Sequence, residues 1–315
     1  MRITTTQNVT IAEFGAPSVL TFNTSASVLE ISDGQVLIEN HFAGVNPVDC
    51  KTRAGLGWGA KYFEPLLPAV IGFDCAGVVV ESRDDRFQTG DRVCALSFAG
   101  GTYAQHVAVD GDLLARVPES VDLREAGALP CAGTTAYQLI KQANLQGGEH
   151  VVMSAPAGGV GHLALQLLRD KNIRLTLIAS AEKRALLGDP SDVDWIDYHA
   201  QDTFPALEAD LLLDLVGGDA AVQALDTLKA NARVICLPSI HVPLLQEAGA
   251  ARGLQVEGFM VKPNADDLDA LVQLLANKQL HVHIAETYPL SEASSAHTAQ
   301  ESGRTFGKIV LNTTP

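Results

Sequence analysis

The chain has few of the residues that mark several protein classes. Of its 315 residues only five are cysteines, and Cys50, Cys75, Cys94, Cys131 and Cys236 are odd in number with no C-x-x-C pair. That fits a reducing compartment and gives no closed zinc-site pattern. No run of about eighteen apolar residues is present, and the opening MRITTTQNVTIAEFG has no basic start followed by an apolar core. Neither a membrane-spanning helix nor a secretory leader is therefore expected. Positive charge is scarce as well: 22 Lys and Arg stand against 37 Asp and Glu, a net charge of −15. This disfavours an extended nucleic-acid surface and chiefly confers solubility. No internal repeat or low-complexity segment occurs. These absences leave a soluble, cytoplasmic globular protein, and 47 % hydrophobic residues provide core for about two domains.

What is there changes in texture along the chain. Short β-rich runs dominate the first part: Val36 to Ile38, Ala76 to Val80, Arg92 to Leu96 and His106 to Val109 are separated by turn signals such as Asp33-Gly34, Thr89-Gly90-Asp91 and Gly100-Gly101. From Asp122 onward apolar strands alternate with helical stretches, at Val151 to Met153, Leu175 to Ala179, Trp195 to Tyr198, Leu211 to Asp214, Val234 to Leu237 and Val256 to Phe259. Six such strands imply an α/β fold with a doubly wound parallel sheet. The tail from Tyr288 reads as a helix, a turn and a last strand.

The densest signal is His150 to Asp170, HVVMSAPAGGVGHLALQLLRD, which reads as strand, glycine turn and helix. Val160, Leu163, Ala164, Leu167 and Leu168 form one apolar stripe at helical period. Backbone at Ala157, Gly158, Gly159, Val160 and Gly161 would admit a pyrophosphate to the helix N-terminus, where unpaired N–H groups and the positive dipole end favour an anion. Gly161 would let helix and strand pack closely. Against G-x-G-x-x-G, the first glycine is replaced by Pro156, which fixes φ and removes one N–H donor. A P-loop is disfavoured, because His162 and Leu163 stand where Lys and Ser or Thr would follow. On the motif alone, a glycine turn that merely joins strand to helix stays open.

Taken in order, GVNPVDCKTRAG from Gly44, PAVIGFDCAGVVVE from Pro68, GDRV from Gly90, GGTYAQHVAV from Gly100, LPCAGTTAYQLI from Leu129, the glycine turn, LVGGDAAVQAL from Leu215 and ESGRTFGKIVL from Glu301 resemble a known family. It is the zinc-independent quinone oxidoreductase branch of the medium-chain dehydrogenase/reductases, and the resemblance spans nearly the whole chain. It implies a GroES-like β-rich catalytic domain that is discontinuous, residues 1–121 and 288–315, and a Rossmann NADPH-binding domain at 122–287. Zinc alcohol dehydrogenases share this fold, and their three catalytic metal positions match Asn46, Phe73 and Cys131 here. An amide and a phenyl ring cannot replace a thiolate and an imidazole, so catalysis is expected to be metal-free, with Cys131 a vestige or a packing residue. Among the histidines, His162, His199 and His297 read most simply as helix or loop residues. His281-Val282-His283 reads as one face of a strand.

The cofactor's adenosine end lies in the same pattern. NAD enzymes usually carry Asp or Glu at the end of the second strand to hold the ribose 2′-hydroxyl. Ser180 stands there, and Lys183 is near to pair with a 2′-phosphate, so NADPH is favoured over NADH. The resemblance adds Tyr198 to Ser180 and Lys183. Lys183 and Arg184 as a solvated helix face is the alternative. The resemblance also places Asn46 and Thr135 near the nicotinamide, and Val216, Gly217 and Gly218 beside the cofactor after the fourth strand. Asn46 before Pro47 is otherwise a turn residue. Asp49 could fix that loop, and Asp74 reads as a buried supporting carboxylate rather than a base. Tyr62 and Cys50 are the available proton donors. Trp58, Tyr62 and Phe63 would either wall an aromatic pocket or belong to a packed or mobile loop.

The implied activity is hydride transfer from NADPH to a quinone. An enone or alkenal reductase, and a non-catalytic NADPH-binding structural or sensory protein, are the alternatives. A homodimer through the sheet edge near Val256 to Val261 is the implied assembly.

Overall fold

The computed structural model describes residues 5–27, 30–188, 193–200 and 203–314. They form two compact units, Met1–Thr134 with Pro263–Pro315, and Thr135–Lys262.

The first unit is built on a seven-stranded sheet in which Gln35–Val45 is the spine. This strand pairs antiparallel with Asp74–Ser82, His106–Asp110 and Lys308–Asn312, in the last case with Ile309 opposite Val45. Two register shifts, at Leu37/Ile38 and Asn40/Phe42, bend the strand so that it can serve three partners. Alternation puts Val36 and Ile38 into a core with Val79, Val93, Val107 and Val109. Asn40 is buried, and its amide donates to the Thr102 and Ala104 carbonyls, which satisfies backbone that no strand partner reaches. The tail returns to this unit as the helix Ala293–Glu301 and the strand Lys308–Asn312, the order read from the sequence.

Grouping by contacts divides the chain at 134/135 and 262/263, beside the expected domain limits of 121/122 and 287/288. The helix Leu123–Ala128 packs on the spine strand, and the helix Ala265–Ala276 on Leu114–Arg116, with Arg116 N–H donating to Asp269 Oδ1 at 3.2 Å. His281 to His283 precede the strand Ile284–Pro289 rather than form part of it: His281 pairs with Glu125 and His283 stacks on Phe306. The supposed loop at Gly57 is the helix Gly57–Phe63, because Phe63 is buried and Trp58 packs its ring 4.8 Å from Phe98.

The second unit is a six-stranded, all-parallel sheet. Its spatial order is Asp194–Ile196, Arg174–Ile178, His150–Ser154, Ala209–Asp214, Leu228–Cys236, Gln255–Gly258. In chain order that is 3-2-1-4-5-6, so the direction of winding reverses between His150–Ser154 and Ala209–Asp214, the switch point where such sheets bind ligands. Every run read as a strand is one; the four inner strands carry continuous buried apolar stretches, while the edge strands Asp194–Ile196 and Gln255–Gly258 are less buried. The boundaries shift by a few residues, most at Leu228–Cys236, which starts six positions before Val234.

The turn after His150–Ser154 gives Pro156 its reason. Ala155 takes φ +49, in the left-handed region. Its carbonyl accepts from Gly158 N–H at 3.1 Å, closing a four-residue turn with proline at the second position. Proline suits that position, whose φ it pre-sets and whose N–H the turn does not use. Gly161 is then obligatory, because a Cβ there would lie 2.1 Å from the Ala155 carbonyl oxygen.

Candidate cofactor and active site

In the second unit, the carboxyl ends of the two central strands are tied together by a buried carboxylate. Asp214 accepts from Ser154 Oγ at 3.1 Å, from the N–H groups of Val216 and Gly217 at 3.1 and 3.0 Å, and from the Cys236 thiol at 3.3 Å. Ser154 Oγ in turn accepts from Leu215 N–H at 2.8 Å. The loop Leu215–Gly217 is thereby fixed, and the Val216 and Gly217 donors are committed to Asp214. These two residues therefore offer a ligand steric access rather than N–H donors. Gly217 has φ +78, and a Cβ there would lie 2.2 Å from the His241 ring. The sequence pointed to the glycines but not to Asp214, Ser154 or His241. An Asp at a strand end followed by paired glycines was the available signal.

On the other side of the switch point, the helix Gly161–Leu168 starts at the glycine turn, and its His162 and Ala164 N–H groups donate to the Gly158 and Val160 carbonyls at 3.0 and 2.9 Å. His162 braces the turn, its Nδ1 lying 2.9 Å from the Gly158 carbonyl. Ser180 is the N-cap of the helix Ala181–Leu186, accepting from Lys183 N–H at 3.3 Å. Ile178 and Ile196 are register partners, so Ser180 and Tyr198, each two residues further on, reach the same end of neighbouring strands. Tyr198 is exposed, with its ring 4.3 Å from that of His199. Arg184 lies over the Trp195 ring at 5.3 Å. No carboxylate occupies the Ser180 position. Thr135 is buried in the helix Pro130–Ala143.

In the first unit, one buried carboxylate ties together Asn46 and Cys131, two of the three positions matched to the zinc relatives' ligands. Asp74 is fully buried; its Oδ1 accepts from Cys131 N–H at 2.7 Å and its Oδ2 from Asn46 Nδ2 at 2.8 Å. The Lys308 ammonium stands 3.8 Å from Oδ2 and donates to Asn46 Oδ1 and, at 3.2 Å, to the Val45 carbonyl. Asn46 also caps the helix Pro47–Arg53, and its N–H donates to Asp49 Oδ2 at 2.6 Å. The reading of Asp49 as a loop anchor and of Asp74 as a supporting carboxylate agrees with these contacts. Zinc does not fit. Phe73 is buried against Trp58, Phe63 and Phe98 and has no donor atom, the Asn46 amide oxygen is taken up by Lys308, and an ammonium already stands beside Asp74.

Burial pushes the Asp74 carboxyl up to about 6, against the pull of Lys308, Asn46 and Cys131. Burial, reinforced by Asp74, pushes Asp49 up to about 8. Deeper in the unit, Tyr103 OH lies 3.0 Å from His297 Nε2, and burial with the nearby Arg53 guanidinium holds that imidazole down at about 3. Cys50 and Tyr62 have different settings. Cys50 is buried against the helix Ala293–Glu301, its thiol 4.0 Å from the His297 carbonyl and its ionisation suppressed by burial. Tyr62 is exposed, edge-on to Phe63. Lys308 and Tyr103 escaped the sequence reading, and His297, read there only as a helix or loop residue, lies in the helix Ala293–Glu301.

A family model described as an alcohol dehydrogenase GroES-like domain matches residues 32–119, and one described as a zinc-binding dehydrogenase matches residues 193–311. The chain is 31 % identical to a probable quinone oxidoreductase of Schizosaccharomyces pombe, over 96 % of each chain. Among solved structures it resembles the quinone oxidoreductase from Coxiella burnetii, with a TM-score of 0.90 at 32 % identity over 98 % of this chain and 99 % of that one. It shares its fold with the Escherichia coli quinone oxidoreductase complexed with NADPH, with a TM-score of 0.85 at 24 % identity over 97 % and 99 %.

The buried groups give stability two opposed pH dependences. Asp49 has an ordinary value of 3.8 in the unfolded chain and about 8 in the folded one. Across that window only the folded chain keeps the proton, so stability falls as pH rises. His297 runs from an ordinary 6.5 to about 3, so only the unfolded chain is protonated in between and stability falls as pH drops. Denaturation midpoints measured against pH are expected to lose the first slope in Asp49→Asn and the second in His297→Gln. Unchanged slopes in both variants would contradict these assignments.

Proposed function

The chain belongs to the zinc-independent quinone oxidoreductase branch of the medium-chain dehydrogenase/reductases, and on that premise we propose that it is an NADPH-dependent reductase of quinones. It is an oxidoreductase that uses a nicotinamide cofactor; the choice of NADPH and of quinones is the proposal. The carrying observation is the sheet end at the switch point, where the turn Ala155 to Gly161 opens a helix N-terminus and the neighbouring strand ends on Ser180 instead of a carboxylate. Ala157, Gly158, Gly159, Val160 and Gly161 would receive the pyrophosphate, and Ser180, Lys183 and Tyr198 the 2′-phosphate. Val216 and Gly217 would leave room beside the cofactor. Asn46 and Thr135 are assigned to the nicotinamide end.

When bound, NADPH supplies a hydride for an electrophilic carbon. The residues of the chain hold and orient. A quinone suits a site without a strong acid, because its reduced oxygens are stabilised anions that water can protonate. Cys50 is too buried and too weak an acid to be that donor. Tyr62, being exposed, is available to solvent and acceptor alike.

Among the described residues no helix is long and apolar enough to cross a membrane, and no disulfide joins the five cysteines. The cytoplasm is the compartment proposed. The strand Gln255–Gly258 is an open sheet edge near the exposed Met260, which fits pairing with a second copy. Sedimentation equilibrium is expected to give twice the 33.3 kDa chain mass, and the chain mass alone would contradict it.

Nicotinamide oxidation followed by absorbance should show saturable turnover with a quinone panel and weaker turnover with enones. Preference for enones would select the alkenal reductase, and binding without turnover the sensory protein. Lys183→Ala should raise the KM for NADPH much more than that for NADH. Equal effects on the two would place Lys183 outside the phosphate site.

A further inference from the structure

An asparagine side chain can face its surroundings in two ways that differ only in which end donates. At Asn46 the neighbours decide. Lys308 is an ammonium with three donors and no acceptor, and it meets Oδ1. Asp74, when ionised, only accepts, and it meets Nδ2 at 2.8 Å. A flipped amide would set N–H against N–H and oxygen against oxygen. With Asn46 and Lys308 each 2 % exposed, water offsets little of that mismatch.

The fold explains why these groups meet. Ile309 is paired antiparallel with Val45, so Lys308 falls opposite Asn46, the first residue beyond the spine strand. A third contact, from the ammonium to the Val45 carbonyl, holds Nζ in place independently of Asn46. Cys131 N–H on Oδ1 fixes the Asp74 carboxylate from its other side, leaving Oδ2 for Asn46 and Lys308. The whole arrangement lies within the first unit.

We propose that Lys308 is a positioning residue that makes Asn46 a hydrogen-bond donor. With its oxygen held by the ammonium and one amide hydrogen by Asp74, Asn46 keeps its second amide hydrogen for a ligand. That hydrogen selects an acceptor, the carboxamide oxygen or a ribose hydroxyl oxygen of the nicotinamide end. The inference rests on the assignment of Asn46 to that end.

The test compares Lys308→Met, the double variant Lys308→Met with Asp74→Asn, and Asn46→Ala. For each, kcat, the KM for NADPH, the NADPH dissociation constant from fluorescence titration and the melting temperature without cofactor are measured. Lys308→Met should lower kcat on the order of tenfold to a hundredfold, with a much smaller change in the dissociation constant, and should lower the melting temperature because Asp74 is left unpaired. The double variant replaces a buried ion pair by neutral groups and should recover the melting temperature. It should not recover kcat, because an amide at position 74 can turn either end toward Asn46. Recovery of kcat together with stability would make Lys308 merely structural and overturn the proposal. Asn46→Ala should lose kcat as far as Lys308→Met does. Wild-type kcat in Asn46→Ala would overturn the assignment of Asn46 itself, whereas loss there with full kcat in Lys308→Met would overturn only the role of Lys308.

Discussion

A carboxylate withdrawn entirely from water must be met by donors and by charge, and Asp74 imposes that condition on the first unit. Its partners come from three other segments: Asn46 at the start of a helix, Cys131 at the start of another, and Lys308 in the last strand. The chain must therefore return to its first sheet near its end. The Lys308–Asp74 pair also accounts for the chemistry that is absent. Where zinc relatives gather ligands around a metal, this chain has an ammonium, an amide and a phenyl ring. The internal cation answers the Asp74 charge and leaves no set of electron-pair donors for a metal.

The second unit contains a related device at a different place. Asp214 is likewise buried at a strand end, but its partners are a serine, a thiol and two backbone N–H groups. It carries no cation and serves to hold a loop still at the carboxyl end of the sheet. In each unit a short buried acidic side chain fixes the loops and helix starts around it. The glycines then act by what they lack. Gly161 and Gly217 each lie where a Cβ would strike a neighbour, the Ala155 carbonyl or the His241 ring.

The parallel sheet was legible because strands buried on both faces must be apolar throughout, so the runs at Val151, Leu175, Leu211 and Val234 could not hide. Helices near the unit boundaries were harder to assign, since Leu123–Ala128 looks the same in sequence whichever sheet it covers. The segment at Gly57 read as a loop from its glycines, while the packing of Trp58 and Phe63, which makes it a helix, is a long-range effect. Pro156 looked like a defect in a fingerprint until the left-handed Ala155 made it the second residue of a turn. Lys308 was out of reach for a related reason: a lysine in a tail strand gives no sign that it is buried, and its partner Asn46 lies 262 positions away.

The proposal turns on an internal ammonium, and no metal, beside Asn46, the residue assigned to the nicotinamide end. The most direct measurement is a single turnover of chelator-treated, metal-depleted protein with NADPH carrying deuterium at the transferred position, mixed with a quinone. The account predicts full-rate oxidation with a primary isotope effect and no response to added zinc. Loss of turnover on metal depletion, restored by zinc, would contradict it.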